Sequence, residues 1–182
     1  METAVQLLRA EDTGTGVVIA PETLAHAASV LGVAAAAFGP GRLAKTSERV
    51  RENGAQLLRG YSRVALCGEE VVGCCQMWRV WIGTEPMVFL GPLAVHPGQQ
   101  GRGLGQMLVS ACVDAARVAG ETAVVLVGAP GFFAPLGFVQ VPAGLITLPG
   151  SVDPRRLLWL PLCGPQTLTA GRLSGFPGAS QT

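Results

Sequence analysis

Residues 96–108, His-Pro-Gly-Gln-Gln-Gly-Arg-Gly-Leu-Gly-Gln-Met-Leu, set four glycines, three glutamines and one arginine between a proline and an apolar run. Glycine is poor helix material and loses more conformational freedom on folding than any other residue. So many of them at the start of a helix imply that something must approach the main chain closely. A strand-to-helix junction exposes unpaired N–H groups, and the helix dipole favours an anion there. These residue types therefore suit a phosphate or pyrophosphate. Two familiar phosphate loops do not fit: a Walker loop requires Lys-Ser/Thr where this chain has Gln106-Met107, and the dinucleotide fingerprint requires glycine where it has Gln106. The remaining pattern, Gln100-x-x-Gly103-x-Gly105, is compatible with an anion loop or with a tight turn that holds nothing.

The elements that must position this loop can be read from periodicity. Leu104, Met107, Leu108, Ala111, Cys112, Ala115 and Ala119 form one apolar stripe at helical spacing, with Gln106, Ser110, Asp114 and Arg117 opposite and Gly120 as the stop. Three β-branched and aromatic segments, 62–67, 71–82 and 86–95, are separated by Gly-Glu-Glu and Gly-Thr-Glu turns and predict antiparallel strands. The almost wholly apolar run 122–128 predicts a buried strand, parallel to its neighbour across a βαβ unit. Further elements are expected as a strand at 4–8, a polar turn through Asp12 to Gly16, a helix from Pro21 to Ala37 and a second near 45–52. A short helix or turn follows at 130–136, then a strand-like Gly-Phe-Val-Gln-Val and a last strand at 156–162. The chain reads as an α/β (α+β) domain over 1–163, followed by a frayed Gly/Pro/Ser-rich C-terminal tail over 164–182.

Composition narrows the functional classes. Of 182 residues, 49% are apolar and 14% charged, and the net charge is +1. With no basic blocks or arginine-aromatic stripes, nucleic acid is not expected as a partner. The sparse surface charge makes a homodimer a reasonable expectation. Five cysteines with no CxxC pair read as reduced cytosolic thiols, and Cys74 and Cys75, adjacent in a strand, should face opposite sides. The N-terminal residues lack a signal-peptide pattern, and no stretch is apolar and long enough for a bilayer, so a cytoplasmic protein without a membrane partner is expected. No metal site is expected.

The segment Leu-Ala-Val-His-Pro-Gly-Gln-Gln-Gly-Arg-Gly-Leu-Gly-Gln-Met-Leu resembles motif A of the GCN5-related N-acetyltransferase (GNAT) superfamily, with Val95, Pro97, Gln100, Gly103 and Gly105 matching position by position. Downstream, 124–138 resembles motif B, which ends in Gly-Phe, here Gly137-Phe138. Upstream, 37–52 with 72–83 resembles the small bacterial YhbS-like subgroup. The resemblance covers most of 30–162. It implies a GNAT fold: a mixed, mostly antiparallel sheet flanked by about four helices, with a V-shaped splay between the fourth and fifth strands. It also implies acetyl-CoA as co-substrate, its pyrophosphate held by Gln100, Gly101, Arg102, Gly103, Leu104, Gly105 and Gln106. Pantetheine would pair with the main chain of Leu93, Ala94 and Val95 as an added strand, against a wall that includes Phe133. The Val95 amide would polarise the thioester carbonyl.

The implied reaction is direct transfer of an acetyl group to the amine of a small molecule or peptide, in a ternary complex. The family often carries a Tyr as general acid four residues before the Gly of Gly-Phe, and here that position is Phe133, which has no proton to give. Base candidates are Glu85 and His96, each of which also reads as an ordinary surface residue: a turn carboxylate and a strand-end imidazole. Trp78, Trp81, Phe89, Phe132 and Phe133 are candidates for an aromatic wall suited to an apolar acceptor. Two alternatives stand beside this reading, a non-catalytic acyl-CoA-binding or regulatory module and an acyltransferase that uses longer acyl donors.

Overall fold

The computed structural model describes residues 16–39, 46–164 and 167–177. Its frame is β1 (Val17–Pro21), α1 (Ala27–Phe38), α2 (Thr46–Glu52), β2 (Gln56–Leu57), β3 (Arg63–Cys67), β4 (Glu70–Ile82), β5 (Glu85–Val95), α3 (Leu104–Val118), β6 (Ala123–Val127), α4 (Pro130–Phe133), β7 (Val139–Gln140), β8 (Ile146–Thr147), β9 (Leu157–Pro161) and β10 (Gly171–Ser174). The main path through the sheet runs β1-β3-β4-β5-β6-β9-β7. Long β4 organises it. One edge pairs with β5, while the other takes β3, β2 and β10 in succession. The pairing of β5 with β6 is parallel, across α3, as the apolar run at 122–128 predicts.

Alternation along the strands sorts the core into two faces. Cys75 and Met77 of β4, Val88 of β5 and Val124 of β6 pack under α3 with Leu104, Leu108 and Cys112. On the other face Cys74 and Ala94 meet Val30, Val33 and Ala34 of α1, and Val80, Ile82 and Phe89 meet Val50 of α2. Cys74 and Cys75 thus face opposite ways, both buried. Helix α3 buries more than the expected stripe: Val109, Val113 and Ala116 form a second buried row, while Ala119 is exposed. The turns at Gly68 and Gly83 carry positive φ, as the strand spacing requires.

Several expectations are corrected. The segment 4–8 lies outside the described residues. The first described strand is Val17–Pro21, paired antiparallel with Arg63–Cys67, so Pro21 ends a strand instead of opening a helix. As the sheet's edge, β1 needs no N–H from Pro21 on its outer side. The helix begins after a 3-10 turn at Leu24–His26, where the His26 Nδ1 accepts from the Thr23 N–H at 3.1 Å. The C-terminal segment is not frayed over 167–177: β10 docks on β4 through Leu173↔Ile82 and Ser174↔Trp81, and Leu173 is fully buried. No helix among the described residues is long and apolar enough to cross a membrane.

One ion-pair cluster ties the far end of α3 to the sheet. Arg79 of β4 donates to both oxygens of Glu121, and the Tyr61 hydroxyl donates to the same carboxylate at 2.9 Å. Burial alone would raise the Glu121 carboxyl, but the hydrogen bonds from Arg79 and Tyr61, with the guanidinium charge, hold it below the usual carboxylate range. A depressed folded-state value contributes stability above about pH 4.5 that is lost as pH falls through it. Glu121→Gln is therefore expected to cost about 1–2 kcal/mol at pH 7. It should also flatten the stability–pH curve between roughly pH 5 and 3. Urea denaturation across that range measures both, and an unchanged slope would show that the cluster is not linked to folding.

Candidate active site

The pairing of β5 with β6 covers only Val88–Leu90 against Val124–Leu126. Beyond Leu90, β5 stays on β4 while β6 turns toward β9, so the sheet splits into a V. The expected splay is therefore present, between β5 and β6. The backbone of β5 in this gap has a defined direction. His96 N–H donates to Val72 O at 2.8 Å, so the residues in phase with it point their amides at β4. Leu93 and Val95, out of phase, point theirs into the gap. The Val95 carbonyl on that side is taken by Gln100 Nε2 at 3.0 Å, which folds the loop back onto the strand end.

At the mouth of the V, Gly103 is the N-cap of α3 with φ of +76°, and Gly101 has φ of +78°. Side chains are strained in this region, and a Cβ on Gly103 would point into open space. The first intrahelical bond is Met107 N–H to Gly103 O, so the N–H groups of 104–106 remain open donors. Gly105 has a different reason to be glycine: a Cβ there would stand 3.2 Å from Cζ of Phe132, whose ring packs on the first turn of α3. Arg102 is exposed, its guanidinium on Gln99 Oε1 at 3.0 Å.

A cavity of about 950 Å³ runs through the gap, lined by Leu90 to Leu93 of β5, by Leu126 and Val127 at the end of β6 with Gly128, Ala129, Phe132 and Phe133 after it, and by α1 and α2 on the other face. Phe133 is 7% exposed and packs edge-to-face on Phe132 and Phe138, at 4.8 and 5.5 Å between ring centres. Of the expected aromatic wall, Trp78, Phe132 and Phe133 line the cavity. Phe89 is fully buried in the α2-side core, and Trp81, on the opposite face of β4 from Trp78, is not part of the lining.

Neither expected base is in the cavity. Glu85 is exposed at the β4–β5 turn, ten residues from Val95, which at strand rise is about 30 Å away. This excludes it from chemistry at Val95. His96 is exposed, and its Nδ1 accepts from the Gly98 N–H at 3.3 Å, capping the 3-10 turn at Pro97–Gln99. Tyr61, the one tyrosine, is tied to Glu121 past the far end of α3, a helix about 22 Å long. It is therefore remote from the loop. Sequence reasoning missed the buried carboxylate among those that line the cavity. Glu22, just after β1, is buried, and Gln76 Nε2 donates to both its oxygens at 3.0 Å. The two residues are 54 apart in sequence, with no local pattern to join them. Among the described residues, no group of three His, Cys, Asp or Glu is gathered as metal ligands.

The fold has close counterparts. The GNAT family N-acetyltransferase YhbS of Escherichia coli, crystallised with CoA, superposes with a TM-score of 0.71 at 24% identity, covering 88% of this chain and 89% of that one. A GNAT family acetyltransferase of Brucella melitensis, in complex with acetyl-CoA, gives 0.66 at 24% identity, covering 88% and 96%. The ribosomal-protein-S18-alanine N-acetyltransferase of E. coli gives 0.57 at 15% identity, covering 82% and 96%. Among curated proteins none matches significantly. At these identities the superpositions speak for the fold alone. The sequence itself carries the family, because the model of the acetyltransferase (GNAT) family matches residues 32–138, a span from α1 through the split sheet and glycine loop to Phe138. With well over half its length matched, the chain belongs to the acetyltransferase (GNAT) family.

Proposed function

We propose that this chain transfers an acetyl group from acetyl-CoA to the amine of a small molecule or peptide, both substrates being bound together. The observation that carries the reading is the split between β5 and β6, with an open strand edge on one side and open helix N–H groups at its mouth. These features fit CoA. The amides of 101 and 103–106 and the Arg102 side chain are the donors for the pyrophosphate, with Gly103 leaving open the space that a longer side chain would fill. Leu93, Ala94 and Val95 offer the strand edge for pantetheine, and Gln100 fixes the junction between that edge and the loop. When bound, acetyl-CoA supplies the activated carbonyl. The Val95 N–H, preorganised in the strand, donates to that oxygen.

Phe133 contributes packing and no proton. A thiol of pKa near ~8.5 leaves acceptably as thiolate near neutral pH, so a missing acid costs about 10²–10⁴-fold and not all activity. That same residue favours the second reading, a module that binds acyl-CoA without catalysis, because a buried phenylalanine cannot donate to the leaving sulfur. Thermal denaturation with acetyl-CoA, longer acyl-CoAs and free CoA tests binding. Saturation at 100-fold above Kd should stabilise by about 2.7 kcal/mol, a shift of several degrees. Thiol release with an amine panel then separates the readings. Turnover supports the transferase, a thermal shift without turnover supports the module, and no shift with any of these ligands contradicts both.

A further inference from the structure

Glu22 is 4% exposed, yet it lines the cavity that runs through the split sheet. Its place is fixed twice. The backbone N–H donates to Ser62 O at 3.0 Å, and the carboxylate receives the Gln76 amide on both oxygens. That partner is neutral. Of the other carboxylates lining the cavity, Glu48 pairs with Arg51, Asp153 pairs with Arg155 and Glu52 is exposed to solvent, whereas Glu22 is buried and, among the described residues, no cation lies within ion-pair distance of it. A buried carboxylate without a counter-charge is costly to maintain, and a cation entering the cavity would offset that cost.

The location matches the chemistry. Cys75 pairs with Leu93 and Met77 with Leu90, so Gln76 faces the extra residue of β5 at Gly91 and Pro92, beside the point where β5 and β6 part. The α1 side of the cavity is apolar, with Ala27, Val30, Leu31 and Ala34, and Trp78 of β4 also lines it. A ligand on the α1 side meets this apolar surface beside the buried Glu22, while Glu48, Arg51, Glu52, Arg59, Asp153 and Arg156 line the cavity elsewhere.

Resting on the acetyl-transfer reading, we propose that Glu22 binds the acceptor's ammonium and takes its proton, and that the acceptor is a primary amine with an apolar body. The Glu22 carboxylate accepts one proton from the ammonium. The freed nitrogen lone pair forms the C–N bond to the acetyl carbonyl carbon as the C–S bond breaks. The second proton shed by nitrogen goes to the departing sulfur, and the first passes from Glu22 to solvent.

The test uses thiol release from acetyl-CoA with n-hexylamine, 2-phenylethylamine and tryptamine against glucosamine and spermidine. At least one apolar amine is expected to be preferred over both hydrophilic ones. Glu22→Gln should retain its acetyl-CoA thermal shift while losing about 10²–10⁴-fold in kcat/KM for that amine. Gln76→Leu, which keeps the carboxylate but removes its holder, should show a smaller loss. On the wild type, 2-phenylethylamine should raise the melting temperature in the presence of CoA while 2-phenylethanol does not, a readout that stands even if Glu22→Gln does not fold. Three results overturn the inference and leave the transferase reading intact: Glu22→Gln activity within threefold of wild type, preference for glucosamine or spermidine, or equal stabilisation by amine and alcohol. Loss of the acetyl-CoA shift in the wild type itself would remove that reading, and this inference with it.

Discussion

Gly103→Glu is expected to abolish acetyl-CoA binding while leaving the protein folded. Two effects add. Gly103 caps α3 at φ of +76°, where a residue with a Cβ costs about 1–2 kcal/mol. The new side chain also projects into space that is empty of protein, the same space the pyrophosphate would take, and brings a carboxylate to it. Like charges brought together at a binding site cost several kcal/mol, so affinity should fall by at least about 100-fold. Gly103→Ala separates the two effects: it carries the strain without the charge and should cost stability while keeping most of the affinity. Isothermal titration with acetyl-CoA and a urea curve on each variant decide the matter. Retained affinity in Gly103→Glu would contradict the assignment of the loop.

Leu173→Ala should destabilise the protein by about 2–5 kcal/mol, the range for removing a buried leucine side chain. Leu173 is fully buried, opposite Ile82 across the β10–β4 ladder and in one cluster with Val80, Phe89 and Val125. Against a typical total of 5–15 kcal/mol this is a large fraction. Removing residues from 165 onward should cost more, because β4 would lose a paired neighbour at Trp81 and Ile82 as well as the leucine. The guanidinium midpoint measures either change. A loss under about 1 kcal/mol for Leu173→Ala would mean that the C-terminal strand is dispensable, well below the expected range.

What could be read from sequence, and what could not, follows from the range of the interactions. Helix α3 and the β4–β5 hairpin announce themselves because their periodicity and turns are local, and both occur where expected. The second buried row of α3, Val109, Val113 and Ala116, also has helical spacing, but it flanks the Leu104–Ala119 stripe and is buried only by the sheet that α3 packs on. Strand β10 has no such signature: four residues, Gly-Arg-Leu-Ser, are a strand only because the edge of β4 is free to receive them. Pro21 misleads because proline suits both a helix start and an edge strand. In the site, the glycine loop was legible because positive φ and open N–H groups demand specific residue types. Glu85 sits on the same strand as Val95, yet an extended strand carries its two ends about 30 Å apart. Glu22 was overlooked because its burial and its bond to Gln76 are made only when β1 docks near β4 through β3.

The arrangement also explains why a chain with so little charge can have a strongly directional site. On the proposed reading, the donors at the loop are backbone amides and a helix end, which need no side-chain charge, and the acceptor would be held by one buried carboxylate, Glu22. Glu22 and the edge of β5 at Leu90 to Leu93 line one cavity, so the proposed reading has both reactants meet there.

The most direct measurement is a crystal structure of the protein with CoA. The account predicts pantetheine in the V between β5 and β6, hydrogen-bonded to the main chain of Leu93 and Val95, with the pyrophosphate on the amides of 101–106. CoA bound elsewhere, or with its pyrophosphate away from Gly103, would contradict it.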